Sequence, residues 1–156
     1  MPTKVTKDIR KRTVAVTTYP LRAGHFAPNH FEALWALEKY DLSRPASATI
    51  TTKQMCNLFV HSHVFNLAWD LTDLDLEATL KLNQDDPRLE EGPFELGGFY
   101  VATDQTSHTH LTRVELKQVT QCFMDMSRDD VTVLRMRTDH RGRLKIAEAS
   151  NRASPD

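Results

Sequence analysis

The chain has 156 residues, is 40% hydrophobic and 26% charged, and carries a formal net charge of −1. That length supports one domain with a real core, and that composition excludes a disordered polymer. The near-zero charge predicts no general attraction to nucleic acid or membrane, and no apolar run approaches the roughly 20 residues that span a bilayer.

The first residues, MPTKVTKDIRKRT, lack the apolar centre of a secretory signal. A cytoplasmic protein is expected. Residues 1–12 are basic and read as a flexible, solvated terminus. Residues 13–20, TVAVTTYP, are β-branched and stop at Pro20, which predicts a strand. Asn29 followed by Glu32 has capping-box spacing, and Phe31, Leu34, Trp35 and Leu37 continue a helical pattern towards Tyr40. Residues 50–62 fit either secondary structure. Met55, Leu58 and Phe59 suit a helix capped by Thr51 or Thr52, while Cys56, Leu58 and Val60 suit a strand; the helix is favoured.

Residues 65–83, FNLAWDLTDLDLEATLKLN, hold the clearest pattern. Phe65, Leu67, Trp69 and Leu71 alternate, then Leu74, Leu76, Ala78, Leu80 and Leu82 alternate on the opposite parity. The flip requires either a bulge near Thr72 or a hairpin at Thr72-Asp73 that sets Trp69 against Leu76. On this reading Trp69 is core and its loss costs roughly 3–5 kcal/mol, whereas Asp75 and Glu77 face water.

Residues 84–95 read as a loop, and Gly97-Gly98 leads into the strand FYVATD. Thr106–Thr112 reads as a polar connection to a helix near 112–127, with Thr112 and Glu115 at capping-box spacing. Two strands, 131–138 and 143–148, flank a three-residue loop His140-Arg141-Gly142. Asp139 then lies opposite Arg143, Met136 faces Ile146 on the core side, and Arg137 lies across from Lys145. Residues 150–156 read as a disordered tail. The domain therefore spans 13–149. It is α+β, a mainly antiparallel sheet with two or three helices packed on one face, and the order suggests two βαββ halves.

Candidate sites are of two kinds. His61-Ser62-His63 and His108-Thr109-His110 could chelate a metal if each triplet lay on a strand, although ordinary surface histidines are the plainer reading. Arg135, Arg137, Arg143 and Lys145 form a basic hairpin that could hold an anion. Residues 70–95 supply nine acids against Lys81 and Arg88, so self-pairing or plain solvation is the better reading. No nucleophile elbow or phosphate-cradling loop occurs. Cys56 and Cys122 read as reduced, buried thiols. The aromatic residues, among them Phe65, Phe99, Tyr100 and Phe123, read as core or as the lining of a pocket.

These readings point to a binding protein for a small-molecule or protein ligand, without a cofactor. The alternatives are a histidine-based, metal-dependent enzyme, and an RNA- or phosphate-binding module on the basic hairpin. Exposed strand edges also predict self-association as a homodimer.

Overall fold

A computed structural model describes residues 6–29, 31–72, 74, 78–79, 81–83, 85–129, 133–139 and 141–150; within these, the side chains of Leu34, 133–135 and 144–150 are left undescribed. The elements are α1 (Lys7–Lys11), β1 (Thr13–Pro20), a 3-10 helix (Ala33–Lys39), β2 (Ala46–Thr51), α2 (Thr52–Val60), β3 (Ser62–Leu71), α3 (Arg88–Glu91), β4 (Phe94–Thr103), β5 (His110–Glu115), α4 (Leu116–Ser127), β6 (Val133–Thr138) and β7 (Leu144–Ser150). Five strands form one antiparallel sheet in the order β2-β1-β5-β4-β3, and β6 pairs with β7 as a separate hairpin. The α+β class with an antiparallel sheet is as the sequence predicts. Among the described residues, no helix is long and apolar enough to cross a membrane.

Strand alternation divides the sheet between two cores. Phe99 and Val101 join Val14, Val16, Val114, Met55, Leu58 and Cys122, so α2 and α4 share one cluster. Tyr100 and Ala102 join Tyr19, Leu111, Val64, Ala68, Ala36 and Tyr40, which brings in the 3-10 helix. Tyr40 donates from its hydroxyl to the Ser107 carbonyl at 2.9 Å and so pins that helix to the β4–β5 turn.

Local chemistry sets the helix starts. Thr51 and Gln54 form a reciprocal capping box at α2, with Gln54 N–H donating to Thr51 Oγ1 at 3.2 Å and Thr51 N–H to Gln54 Oε1 at 2.7 Å. Asn29 Oδ1 accepts from the Phe31 and Glu32 amides, and Glu32 Oε2 accepts from Asn29 N–H, the pairing read from the sequence. The basic segment before β1 holds α1. Thr6 caps it, Ile9 is buried, Thr6 donates twice to the Asp129 carboxylate, and Arg12 pairs with Asp125. The beginning of the described chain is thereby tied to the end of α4.

Three expectations are corrected. The segment 110–115 is a strand, not the approach to a helix: Thr112 is buried in β5 and Glu115 bonds Arg113 instead of capping α4. Its polar residues hid a strand covered on both faces. None of the described residues in the run 74–82 pairs with β3. Ala78 and Thr79 are helical, and β3 pairs with β4, setting Trp69 across from Leu96. Leu76, with Asp73, Asp75 and Glu77, lies outside the described residues, as do residues 151–156 of the tail. Consequently Trp69 is 59% exposed, not core. The parity change after Leu71 marks the end of β3, not a bulge within it; the bulge between Ala68 and Trp69 places its extra residue, Gly97, on β4 and leaves the alternation of β3 intact.

The hairpin β6–β7 has the expected register, Met136 with Ile146 and Arg137 with Lys145, and Gly142 takes φ of 73° in its turn. Asp139 N–H donates to the Arg143 carbonyl. Met136, however, is 58% exposed and not part of the core.

Candidate functional site: an apolar groove and a buried polar network

Two constructions stand out. The first is a groove of about 590 Å³ between α2 and α4. Its floor is an aromatic triad. Phe59 meets Phe99 edge-on at 5.5 Å and Phe65 at 6.1 Å, and Phe65 lies 5.5 Å from Phe99. Phe99 pairs with Leu67, two residues along β3 from Phe65, so Phe65 and Phe99 are diagonal neighbours on one face and the sheet register itself places them together. On α4, Val119, Cys122, Phe123 and Met126 follow the i, i+3, i+4, i+7 spacing of one helical stripe. On α2, Met55, Cys56, Phe59 and Val60 face them. Among the described residues, nine of the eleven that line it are apolar, and Asn57 and His61 are the polar ones. Phe123 is 64% exposed and Val60 still more so, so the walls are wet where water is least favoured. Cys122 lies buried behind the wall, its thiol pushed up by burial and then by the neighbouring Cys56.

The second construction is the Arg113 network, at the base of a wide cleft of about 1110 Å³. Arg113 is 1% exposed. Its Nη2 pairs with Asp70 Oδ2, its Nε donates to Glu115 Oε1 at 2.8 Å, and Nη1 donates to Tyr100 Oη at 3.3 Å. Burial alone would lower the guanidinium pKa, but the bonds to Asp70, Glu115 and Tyr100 outweigh it and raise it. Gly97 makes room for this. A Cβ there would collide with the Asp70 carboxylate and lie 3.0 Å from Arg113 Nη2. Tyr19, edge-on to Tyr100 at 5.8 Å, has a hydroxyl with no hydrogen-bond partner among the described residues. With its donors turned to internal carboxylates, Arg113 serves the sheet rather than a ligand.

Among the described residues, the histidines do not converge. His61 ends α2 and borders the groove, whereas His63 opens β3; there its Nε2 meets the Pro28 carbonyl at 2.7 Å and its Nδ1 lies 3.3 Å from Asp104. His108 sits in the turn before β5. His110 opens β5, bonded to Thr109 Oγ1 at 2.9 Å, with its pKa lowered by burial. Neither triplet lies along one strand, and among the described residues no three His, Cys, Asp or Glu side chains gather as a metal site. In the basic hairpin, Arg143 Nε donates to Asp139 Oδ2 at 3.1 Å and Arg137 is exposed. Arg135 is set across from Glu148 by the register; its side chain and that of Lys145 are outside the described ones, as is His140.

Sequence reasoning named Phe65, Phe99 and Phe123 as possible pocket residues but missed Arg113. A lone arginine in an unrecognised strand gives no signal. The pair Gly97-Gly98, one residue of which a carboxylate requires, was the available clue.

The chain matches no protein-family model, and neither a curated protein nor a solved structure shows significant similarity to it.

Proposed function

We propose that the protein binds a small, mostly apolar molecule in the groove between α2 and α4. One observation carries this reading: a concave space of about 590 Å³ whose lining is apolar except for Asn57 and His61. The volume suits a drug-sized molecule, and an almost wholly apolar wall with a few polar groups is the usual make-up of such a site. A ligand that covered Phe123 and Val60 would recover about 1.5–3 kcal/mol for each side chain fully removed from water. Its single polar end would lie towards His61 and Asn57, which offer a ring nitrogen and an amide. An aromatic or branched hydrocarbon body fits the edge-on Phe59, Phe65 and Phe99 floor better than a charged one.

The test is a fluorescence titration with anilinonaphthalene sulfonate. A saturable response at one site per chain is expected. Val119→Trp, which fills the groove, should abolish it, and Phe99→Ala should weaken it. Trp69→Ala, outside the groove, should leave it unchanged. Circular dichroism confirms that each variant is folded. A response as strong in folded Val119→Trp as in the wild type would overturn the proposal.

A further inference from the structure

The two edges of the five-stranded sheet are built differently. β2 has six residues, ASATIT, with small and polar side chains. β3 has ten, and it presents Phe65, Leu67 and Trp69 in succession on one face, 43%, 44% and 59% exposed. Among the described residues, the Leu74 N–H donates to the Leu71 carbonyl at the very end of β3, but over 64–69 no backbone group outside β4 bonds to the strand's backbone. Natural edge strands are usually short, charged or covered, and β3 over 64–69 is none of these.

We infer that β3 is a homodimer interface, pairing antiparallel with β3 of a second copy. The stripe is self-complementary. A two-fold axis through Leu67 and perpendicular to the sheet sets Leu67 against its own counterpart. Phe65 then lies opposite the second copy's Trp69, and Trp69 opposite the second copy's Phe65. An isologous contact requires this reciprocity. Residues of like parity meet, so all six side chains share one face, as cross-strand pairs must. The backbone groups that β3 leaves to water become ladder bonds, and two five-stranded sheets continue as one of ten. Asp70 does not oppose the pairing, because its carboxylate is turned inwards onto Arg113. A foreign extended peptide could use the same edge, but nothing in such a peptide would be matched to the spacing of Phe65 and Trp69 as β3 itself is. Phe65 belongs to both the groove floor and this seam, but sedimentation mass and cross-linking are read with the groove empty and so test the pairing alone.

Sedimentation equilibrium from low to high micromolar chain should give the mass of two chains. Leu67→Lys should give one, with unchanged circular dichroism. In a Cys56→Ser background, Leu67→Cys should oxidise to a covalent dimer. Paired Cα atoms in an antiparallel ladder lie about 4.5–5.5 Å apart, within disulfide reach. The reaction joins two thiols with loss of two hydrogens to an added disulfide such as oxidised glutathione, which leaves as two thiols. Thr49→Cys on β2 should not cross-link. A single-chain mass throughout, a dimer that survives in folded Leu67→Lys, or cross-linking at Thr49→Cys in place of Leu67→Cys would each overturn the inference. Should Leu67→Lys fail to fold, the cross-linking comparison decides.

Discussion

Arg113 brings a full charge into the middle of the sheet, and the surrounding residues are arranged around that cost. Asp70 comes from β3, Glu115 from two positions along β5, and Tyr100 from β4, so three strands converge on one guanidinium. Such a pair is weak evidence for stability as a whole, but removal of one member strands the others. Arg113→Met is therefore expected to cost about 3–5 kcal/mol in a urea melt. Gly97→Ala acts on the same contact by displacing the Asp70 carboxylate, so the two changes should not add. In the Arg113→Met background, Gly97→Ala should cost far less than alone. Additive losses would mean that Gly97 is required for some other reason. Trp69 gives the opposite case. At 59% exposure, Trp69→Ala should cost under about 1 kcal/mol at concentrations where the chain is monomeric, because little burial is lost. A loss of several kcal/mol would restore Trp69 to the core.

At the level of elements, the legible ones were those with a local signal. Thr51, one of the two caps the sequence offered, does start α2; Asn29 and Glu32 make their expected reciprocal bonds, but in a turn, and the 3-10 helix begins only at Ala33. The β6–β7 register followed from Gly142 and the turn length alone. Thr51→Ala should accordingly cost about 1 kcal/mol, measured as a shift in melting midpoint, since it removes the Oγ1 that accepts from the Gln54 N–H and leaves only the Thr51 N–H bond to Gln54 Oε1. No shift would mean that packing of Met55 and Leu58 alone fixes that helix. β2 and β5 were missed for a shared reason. Both are rich in Thr, Ser, Ala or charge, and their pairing with β1 is a long-range fact that no window of residues contains. The alternation in 65–71 did identify a strand, but it could not say which face was covered. Covering depends on where α2 and α4 end up: they lie against the centre of the sheet, and α2 reaches β3 at Phe65 but leaves Leu67 and Trp69 exposed. The groove was illegible for the same reason: its lining comes from four elements, and each contributes residues that separately read as core.

On the scale of the whole molecule, one sheet serves two cores, and the tyrosines report on the one that holds the 3-10 helix. Tyr40 is fully buried and its hydroxyl pKa is pushed up to about 12 by burial. Tyr19 is raised as well, by burial first and then by Tyr100. In the unfolded chain both ionise near pH 10. A phenol that resists ionisation in the folded state contributes its full stability below the unfolded pKa, and that contribution is lost as pH rises through the folded one. Stability should thus fall from about pH 10 towards 12, by up to about 1.4 kcal/mol per pH unit for each tyrosine. The two substitutions to phenylalanine separate hydrogen bonding from burial. Tyr40→Phe loses the bond to the Ser107 carbonyl and should cost about 1 kcal/mol at neutral pH. Tyr19→Phe removes a hydroxyl that has no partner among the described residues, so its neutral-pH cost should be close to zero. Each should flatten the alkaline fall by one proton's worth. Urea midpoints measured from neutrality to about pH 12 decide it. An alkaline slope unchanged in both variants would place the titration elsewhere in the molecule and leave the two buried phenols as bystanders.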